Sequence, residues 1–410
     1  MSQKVVDKTI ETEAPTADTR SEIKLLLCCA RTCITPEVAE QIRNLVQENL
    51  DWTYLLKTAQ QHRVMPLLHQ SLNAVCPETV PQSIRDRLRI SFHLNTIHNL
   101  FLTEELLRLV ELFAAHNIPA IPFKGPTLAV YAYGDLGFRQ CSDLDIVVHK
   151  QDIFKAKDLL MAQGYQNRYE MSSSQEATLL RQDHEYDLVH KNGKVAVDLH
   201  WGFTQIDIPF PLNPKYLWQR LQPISLAGTT IPNAAPEDLL LILCVNGSKE
   251  CWQSLNRICD IAELIHNHPE LNWEQAIEQA RRLGSQRMLI IALFLAKDLL
   301  GTVLPESVQT YMQFDLVAQN LAQQVQNSIF SDVAYPLENV ERATFMINMR
   351  ERFIDKASSM FNRINMSGWM TPTHNDNEFI PLPTKFFRLY YLLRPIRVFK
   401  KYYRLIKNFQ

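Results

Sequence analysis

Two aspartates stand in a segment whose other residues predict a buried β-strand, and this combination constrains the fold more than any other feature. The segment is RQCSDLDIVVH, residues 139–149, in which Asp143 and Asp145 are two positions apart. Alternate residues of a strand project from the same face, so the two carboxylates share one face while Leu144 and Ile146 point into the core. The sequence therefore predicts a polar site on one face of a small sheet.

A third carboxylate follows on a predicted hairpin. The segment HEYDLVHKNGKVAVDLHW, residues 184–201, has two alternating runs around Asn192-Gly193, a dipeptide typical of tight β-turns. On the second arm, Asp198 and His200 share one face. If the hairpin lies beside the strand of the paired aspartates, three carboxylates converge on one sheet surface.

Three close carboxylates would repel one another, and at least one would be protonated unless a cation lay among them. Hard oxygen ligands suit Mg²⁺ or Mn²⁺, which keep several water ligands and bridge substrate phosphates. Two such ions can clamp the attacking and leaving oxygens of an in-line phosphoryl displacement. The pattern thus favours metal-dependent phosphate chemistry.

A phosphate site is predicted beside the carboxylates. Lys124-Gly125 follows the short apolar run IPAIPF and precedes a predicted helix. Backbone N–H groups at the start of a helix favour an anion, and glycine lets a phosphate approach the backbone closely. The side-chain donors expected around this turn are Lys124, Thr127, Arg139 and Ser142.

The order Lys-Gly-x-Thr, then Arg-x-x-Ser-Asp-x-Asp, then an acid in VDLHW resembles the polymerase-beta-type nucleotidyltransferase superfamily, in particular its uncharacterised nucleotidyltransferase group. The resemblance covers roughly residues 45–310, including helical flanks on both sides. It implies an enzyme that transfers a nucleoside monophosphate from an NTP to an acceptor with release of pyrophosphate.

The resemblance also implies roles for individual residues. Asp143 and Asp145 would bind the metal ions, and Asp198 would be the third carboxylate, able to accept the proton of the acceptor. Lys124 and Gly125 would take the place of the superfamily's Gly-Ser phosphate loop, from which this sequence departs. His200 would touch metal, phosphate or acceptor, or else serve as a structural histidine.

The predicted fold class is α+β, with a small mixed β-sheet core of polymerase-beta-like type flanked by helical regions. The periodicity of the chain divides it as follows: a disordered N-terminus at 1–20, a helical region at 21–117, the nucleotidyltransferase core at 118–205, a Pro-rich connection at 206–235, a helical domain at 236–330 and a C-terminal region at 331–410.

Composition and cysteine usage indicate the cellular compartment to expect. The 410 residues are 46% hydrophobic and 21% charged, which is ordinary for a globular protein. Eight cysteines form no CxxC pair and follow no apolar signal segment, so we expect free thiols and a cytoplasmic location. His184 and His190 share a face of one predicted strand, but no third ligand is evident, so a zinc site is not predicted there.

The C-terminal tail is strongly basic. Its last 26 residues contain eight Lys or Arg and no acid, with an apolar stripe at helical spacing. Such a segment could contact an anionic membrane or nucleic acid. The slightly favoured interpretation is a helix packed on the protein's own core with a solvated basic face.

Several alternatives remain open at this point. A non-catalytic nucleotide-binding regulator or a partner-binding scaffold could retain the same fold, and a toxin–antitoxin enzyme acting on RNA or protein is a further interpretation within the enzyme class. The nucleobase and the acceptor, whether small molecule, protein or RNA, are not indicated. Four residues in the helical segment after the core have two interpretations: they could line an acceptor cleft, or they could form a surface salt-bridge stripe with one buried Trp. These residues are Lys249, Trp252, Arg257 and Asp260.

Overall fold

The computed structural model describes residues 20–169, 176, 179–180, 183–204, 210, 214–331 and 339–357. The predicted disordered N-terminus, apart from Arg20, and the basic tail lie outside the described residues. The limits of the predicted domains stay predictions.

From residue 20 onward, five helices precede the sheet, as the helical periodicity predicts. Asp51 caps the third, where its side chain accepts a hydrogen bond from the Tyr54 N–H at 2.9 Å. The long fifth helix ends at Ala115, and Asn117 takes a left-handed φ of 57°, a common way to end a helix. The helices are α1 (Ser21–Cys29), α2 (Pro36–Val46), α3 (Trp52–Gln61), α4 (Met65–Val75) and α5 (Gln82–Ala115).

The centre of the chain forms a five-stranded mixed sheet in the order β1-β2-β5-β4-β3. Only the β2–β5 pair is parallel, and the predicted hairpin is the antiparallel pair β4–β5. This sheet with helices on both sides confirms the predicted α+β class. The elements are β1 (Ala120–Pro122), α6 (Gly125–Tyr133), β2 (Leu144–Val148), α7 (Ile153–Ala162), β3 (Tyr165–Asn167), β4 (Glu185–His190) and β5 (Ala196–His200).

The Pro-rich connection contains regular structure that its sequence did not predict. It holds the helix α8 (Pro214–Gln219) and a hairpin of β6 (Gln222–Leu226) and β7 (Thr229–Asn233) around Ala227 and Gly228, both with positive φ. Proline is tolerated where a strand N–H faces away from its partner, and Pro223 and Pro232 oppose each other in this two-stranded sheet. The high proline content of this segment therefore did not exclude a strand pair.

Within the part of the chain that the structure describes, seven helices follow the hairpin. The apolar run of α12 is buried within the protein, and among the described residues no helix combines the length and the apolar character needed to cross a bilayer. These helices are α9 (Pro236–Lys249), α10 (Leu255–Asn267), α11 (Trp273–Leu283), α12 (Gln286–Leu300), α13 (Glu306–Met312), α14 (Leu316–Ser328) and α15 (Asn339–Asn348).

The turn between α9 and α10 is strained. Cys251 and Trp252 both have left-handed φ angles, 49° and 54°, and each such non-glycine residue costs of the order of 1–3 kcal/mol. The turn is held by the fully buried Trp252 indole, which packs directly on Gly247 of α9. This contact fixes the direction in which α10 starts.

Replacing Gly247 by alanine is expected to lower the free energy of unfolding by about 1–3 kcal/mol, because the added methyl would lie 2.4 Å from two ring atoms of Trp252. Alanine favours a helix over glycine by up to about 1 kcal/mol. The sign of the change in the free energy of unfolding therefore shows whether steric overlap outweighs helix propensity. Urea unfolding followed by tryptophan fluorescence measures the change. Gly202→Ala, whose methyl would meet its nearest neighbour in His184 at 3.4 Å, is the control. A Gly247 variant as stable as the parent contradicts this packing.

Candidate active site

The sheet register brings two of the predicted carboxylates together. Asp145 of β2 and Asp198 of β5 are direct partners across the parallel pair, and Asp187 of β4 opposes Asp198 on its other side. Partners in register project from the same face, so the acids form a row across three strands. Asp143 stands just before β2 and lines the same cleft.

Asp145 is the best-neutralised member of this row. Its Oδ1 accepts a hydrogen bond from Lys124 Nζ at 2.8 Å and lies 3.2 Å from His200 Nε2, and only 4% of the residue is exposed. Burial alone would raise the pKa of Asp145, but the Lys124 ammonium and the His200 imidazole hold that pKa well below its usual range. Asp145 is therefore a carboxylate at neutral pH.

Asp198 has the opposite environment. Burial and repulsion from Asp145 and Asp143 raise the pKa of Asp198 to about 8. The pKa of Asp143 is raised as well, chiefly by burial and by Asp145, against the attraction of Lys124. The Lys124 ammonium thus lowers the pKa of Asp145, whereas the pKa values of Asp143 and Asp198 stay raised.

The structure separates the predicted phosphate-site residues into two groups. Those that line the cleft with the carboxylates are Lys124, Arg139 and Ser142. Gly125 and Thr127 do not line it: Thr127 is fully buried, and its Oγ1 has no hydrogen-bond partner among the described residues. Gly125 has a φ of 55°, and a Cβ there would lie 3.0 Å from the Asp143 carbonyl oxygen. This glycine lets the turn pack against the aspartate strand.

Arg139 has a partner that the sequence did not indicate. Its Nε and Nη2 donate to the two carboxylate oxygens of Asp260 on α10, at 2.8 and 3.0 Å. The Tyr133 hydroxyl donates to the same carboxylate at 2.7 Å. Arg139, predicted as a phosphate ligand, is thus committed to a buried ion pair that holds α10 against the core.

Residues of the helical regions form the opposite wall of the cleft, and two of these residues are arginines. Arg63 follows α3 with a left-handed φ of 56°, and its Nη1 lies 3.4 Å from Ser142 Oγ. Arg257, on α10, has its pKa lowered by burial and by the nearby Arg63, against the attraction of Glu250. Within the described ranges neither arginine has a carboxylate within 4 Å. The wall consists of Arg63, Asn246, Glu250, Asn256, Arg257 and Asp260.

Three side chains of this region can hold a metal ion together. The ligand atoms of Asp145, Asp198 and His200 lie within 4.8 Å of one another, whereas Asp143 is not part of this group. Two carboxylates and an imidazole are a suitable donor set for a divalent cation, and their excess negative charge is what such an ion would neutralise. His200 is buried behind Asp145 and does not line the cleft.

Sequence reasoning missed several members of the site. Arg63 carries no local signal, because its role depends on the packing of α3 against the core. Glu185 could have been found, since the alternation of the hairpin places it opposite His200. The sequence analysis paired His184 with His190, whereas the structure brings Glu185 and His200 within 4.8 Å of His184.

Comparison with known proteins gives one family. A family model described as "Uncharacterised nucleotidyltransferase" matches residues 48–301. No curated protein matches the chain. A crystal structure of an antigenic nucleotidyltransferase-like protein from Paracoccidioides brasiliensis is similar at 17% identity and a TM-score of 0.33, covering 50% of this chain and 95% of that one. That likeness is too weak to support any argument about the site.

Asp198→Asn is expected to raise the melting temperature of the metal-free protein by roughly 2–5 °C at pH 8.5, because it removes the repulsion among the acids. The folded-state pKa of about 8 exceeds the ordinary 3.8, so the folded protein binds more protons and loses stability as pH rises between these values. The gain should therefore be smaller at pH 5.5. Thermal unfolding in chelator at both pH values measures it.

The control for this prediction is Asp187→Asn. Asp187 lies in the same row and is the last of the acids that raise the pKa of Asp198, but it forms an ion pair with Arg168 at 2.6 Å, so its replacement should give a clearly smaller gain than Asp198→Asn. A lower melting temperature for Asp198→Asn at pH 8.5, or an equal gain at both pH values, contradicts the repulsion.

Proposed function

The chain belongs to the uncharacterised nucleotidyltransferase family, as its sequence predicts, and we propose that it is an active, metal-dependent enzyme of this type. The proposed reaction moves a nucleoside monophosphate from an NTP to an acceptor. The acceptor oxygen bonds to the α-phosphorus, the bond from that phosphorus to the bridging oxygen breaks, and pyrophosphate leaves.

One observation carries the proposal: a register-paired Asp145 and Asp198 face Arg63 and Arg257 across a single polar cleft. Negative charge builds up on the leaving group of a triphosphate during transfer. Cations that surround the triphosphate stabilise this charge. The arginines supply one side. The carboxylates, once they hold Mg²⁺ or Mn²⁺, supply the other.

Asp145 and Asp198 would hold the metal, with Asp143 at the edge of the cleft. A divalent ion in this place supplies neutralisation of phosphate charge and alignment of the reacting oxygens. Lys124 is now the counterion of Asp145, and with the carboxylates bound to metal its ammonium becomes available to a phosphate oxygen. Asp198, which is protonated at neutral pH without a cation, would accept the proton of the acceptor hydroxyl once a bound metal ion has displaced its own proton.

Arg63 and Arg257 would donate to non-bridging phosphate oxygens. A guanidinium without an ion-pair partner can do this without first breaking a contact, whereas Arg139 would have to leave Asp260. Phosphate recognition in this protein is therefore assigned chiefly to the helical wall, with Lys124 contributing from the sheet side. The amides of Asn246 and Asn256 on the same wall could hydrogen-bond a hydroxyl-bearing acceptor.

Asp145→Asn and Asp198→Asn are each expected to reduce pyrophosphate release from an NTP at least about 100-fold, because each removes a carboxylate that the metal requires. The assay supplies α-labelled ATP, GTP, CTP and UTP in turn with Mg²⁺ or Mn²⁺ and a cell extract as the source of acceptor. It follows both free pyrophosphate and the molecule that becomes labelled.

Asp187→Asn is the matched control, since this acid shares the row but is paired with Arg168. Equal activity in the parent and in both cleft variants would contradict the roles of the carboxylates. Saturable NTP binding by the parent without any pyrophosphate release would favour the nucleotide-binding regulator.

Arg63→Ala and Arg257→Ala are each expected to weaken NTP binding by about 5- to 30-fold, which corresponds to one charge-assisted hydrogen bond. Isothermal titration calorimetry with a non-hydrolysable NTP analogue and Mg²⁺ measures the affinity. Arg43→Ala, which removes a surface arginine paired with Glu40, is the control. Unchanged affinity in both cleft variants would place the triphosphate elsewhere.

A further inference from the structure

Three acceptor atoms converge beside the carboxylate row. His184 precedes β4, Glu185 begins that strand, and His200 ends β5 as the direct register partner of Glu185. Glu185 Oε2 lies 3.0 Å from His184 Nε2 and 3.1 Å from His200 Nδ1. All three ligand atoms lie within 4.8 Å of one another.

The opposite nitrogen of each imidazole is already in use. His184 Nδ1 lies 2.8 Å from Asp183 Oδ1, and His200 Nε2 lies 3.2 Å from Asp145 Oδ1. A carboxylate only accepts hydrogen bonds, so each of these two nitrogens carries a proton. In a neutral imidazole the remaining nitrogen is then a lone pair, and both lone pairs face Glu185.

Among the described residues, one atom of the cluster lacks a hydrogen-bond partner. His200 Nδ1 is buried without an aligned hydrogen-bond donor, although its residue is only 3% exposed. A second proton on His184 would let its Nε2 donate a hydrogen bond to Glu185, but His200 Nδ1 would still have no hydrogen-bond donor. The Lys249 ammonium lies 3.4 Å from His184 Nε2 and serves that one atom. One metal ion would satisfy all three acceptors at once.

We propose that His184, Glu185 and His200 Nδ1 form a binding site for a first-row transition-metal ion of the Zn²⁺ type, adjacent to the carboxylate site, whose own ion would then be held by Asp145 and Asp198 without His200. Two imidazoles and one carboxylate are a ligand set that zinc uses in proteins. Bonds of about 2.0–2.1 Å in tetrahedral geometry put neighbouring ligand atoms about 3.3 Å apart, close to the two separations measured here.

The surroundings also match those of metal-binding histidines. Such histidines donate their other N–H to a carboxylate, which fixes the ring and its tautomer, and Asp183 and Asp145 do this here. The side chain of Glu185 is 30% exposed while those of His184 and His200 are 3% and 4% exposed, so solvent reaches the cluster on the glutamate side. That side leaves an open position for a water ligand.

The ion would act on the neighbouring site by positioning. With Nδ1 on the metal, His200 keeps its Nε2–H directed at Asp145 Oδ1 and holds that carboxylate in its present orientation. The proposal does not depend on nucleotidyl transfer, because the cluster would bind its ion whether or not an NTP is turned over.

The test uses the full-length protein, stripped of metal with a chelator and titrated with Co²⁺ in the absence of nucleotide. Tetrahedral or five-coordinate Co²⁺ with nitrogen ligands absorbs visible light strongly, whereas octahedral Co²⁺ among oxygen ligands does not. We expect an intense visible band that saturates at one equivalent and disappears on adding Zn²⁺. Glu185→Gln and His184→Gln should each weaken Co²⁺ binding at least about 10-fold.

Two control variants leave the cluster intact: Asp143→Asn in the carboxylate row and His190→Gln at the far end of β4 should keep the band. Lys249→Met should bind Co²⁺ more tightly, because it removes the ammonium that faces His184 Nε2, and a gain of this kind cannot come from misfolding. Weaker or unchanged binding in Lys249→Met overturns the placement of the ion.

No intense band in the parent, or an equal band in Glu185→Gln, overturns the site. Loss of the band in Asp143→Asn as complete as in Glu185→Gln would place Co²⁺ among the carboxylates and would also overturn it. Because nucleotide is absent throughout, these outcomes are independent of the pyrophosphate assay.

Discussion

Repulsion between Asp145 and Asp198 is the constraint around which the rest of the site is arranged. Parallel pairing of β2 with β5 fixes the two acids opposite each other, so they cannot separate without breaking the sheet. Lys124 and His200 neutralise Asp145, while Asp198, whose pKa of about 8 keeps it protonated at neutral pH, takes up a charge only at a cost in stability. A local conflict of this kind inside an otherwise consistent fold is typical of a functional site.

The helical regions complete the site because buried contacts join them to the sheet. The buried pair of Arg139 and Asp260 joins the core to α10, and the strained turn at Trp252 sets where that helix begins. Together these contacts bring Arg257 to the cleft, opposite the acids. The sheet thus provides anionic metal ligands, and the helices provide most of the cations that face them.

Much of the architecture could be predicted from the sequence, because it depends on local patterns. The Asn-Gly turn and the phases of Asp145 and Asp198 place these two acids correctly on the sheet, whereas Asp143 lies just before β2. The roles of Arg139 and Thr127 could not be predicted, because burial and a distant Asp260 decide them. Sequence identifies which groups can donate, but only packing determines which of them are already occupied.

The most direct test of the account is a crystal structure of the protein with Mn²⁺ and a non-hydrolysable NTP analogue. Anomalous scattering locates the manganese independently of the surrounding density. The account predicts a peak within bonding distance of the carboxylates of Asp145 and Asp198, with the triphosphate between that peak and Arg257. A nucleotide bound in the cleft with Lys124 still paired to Asp145 and no manganese at either carboxylate would contradict it.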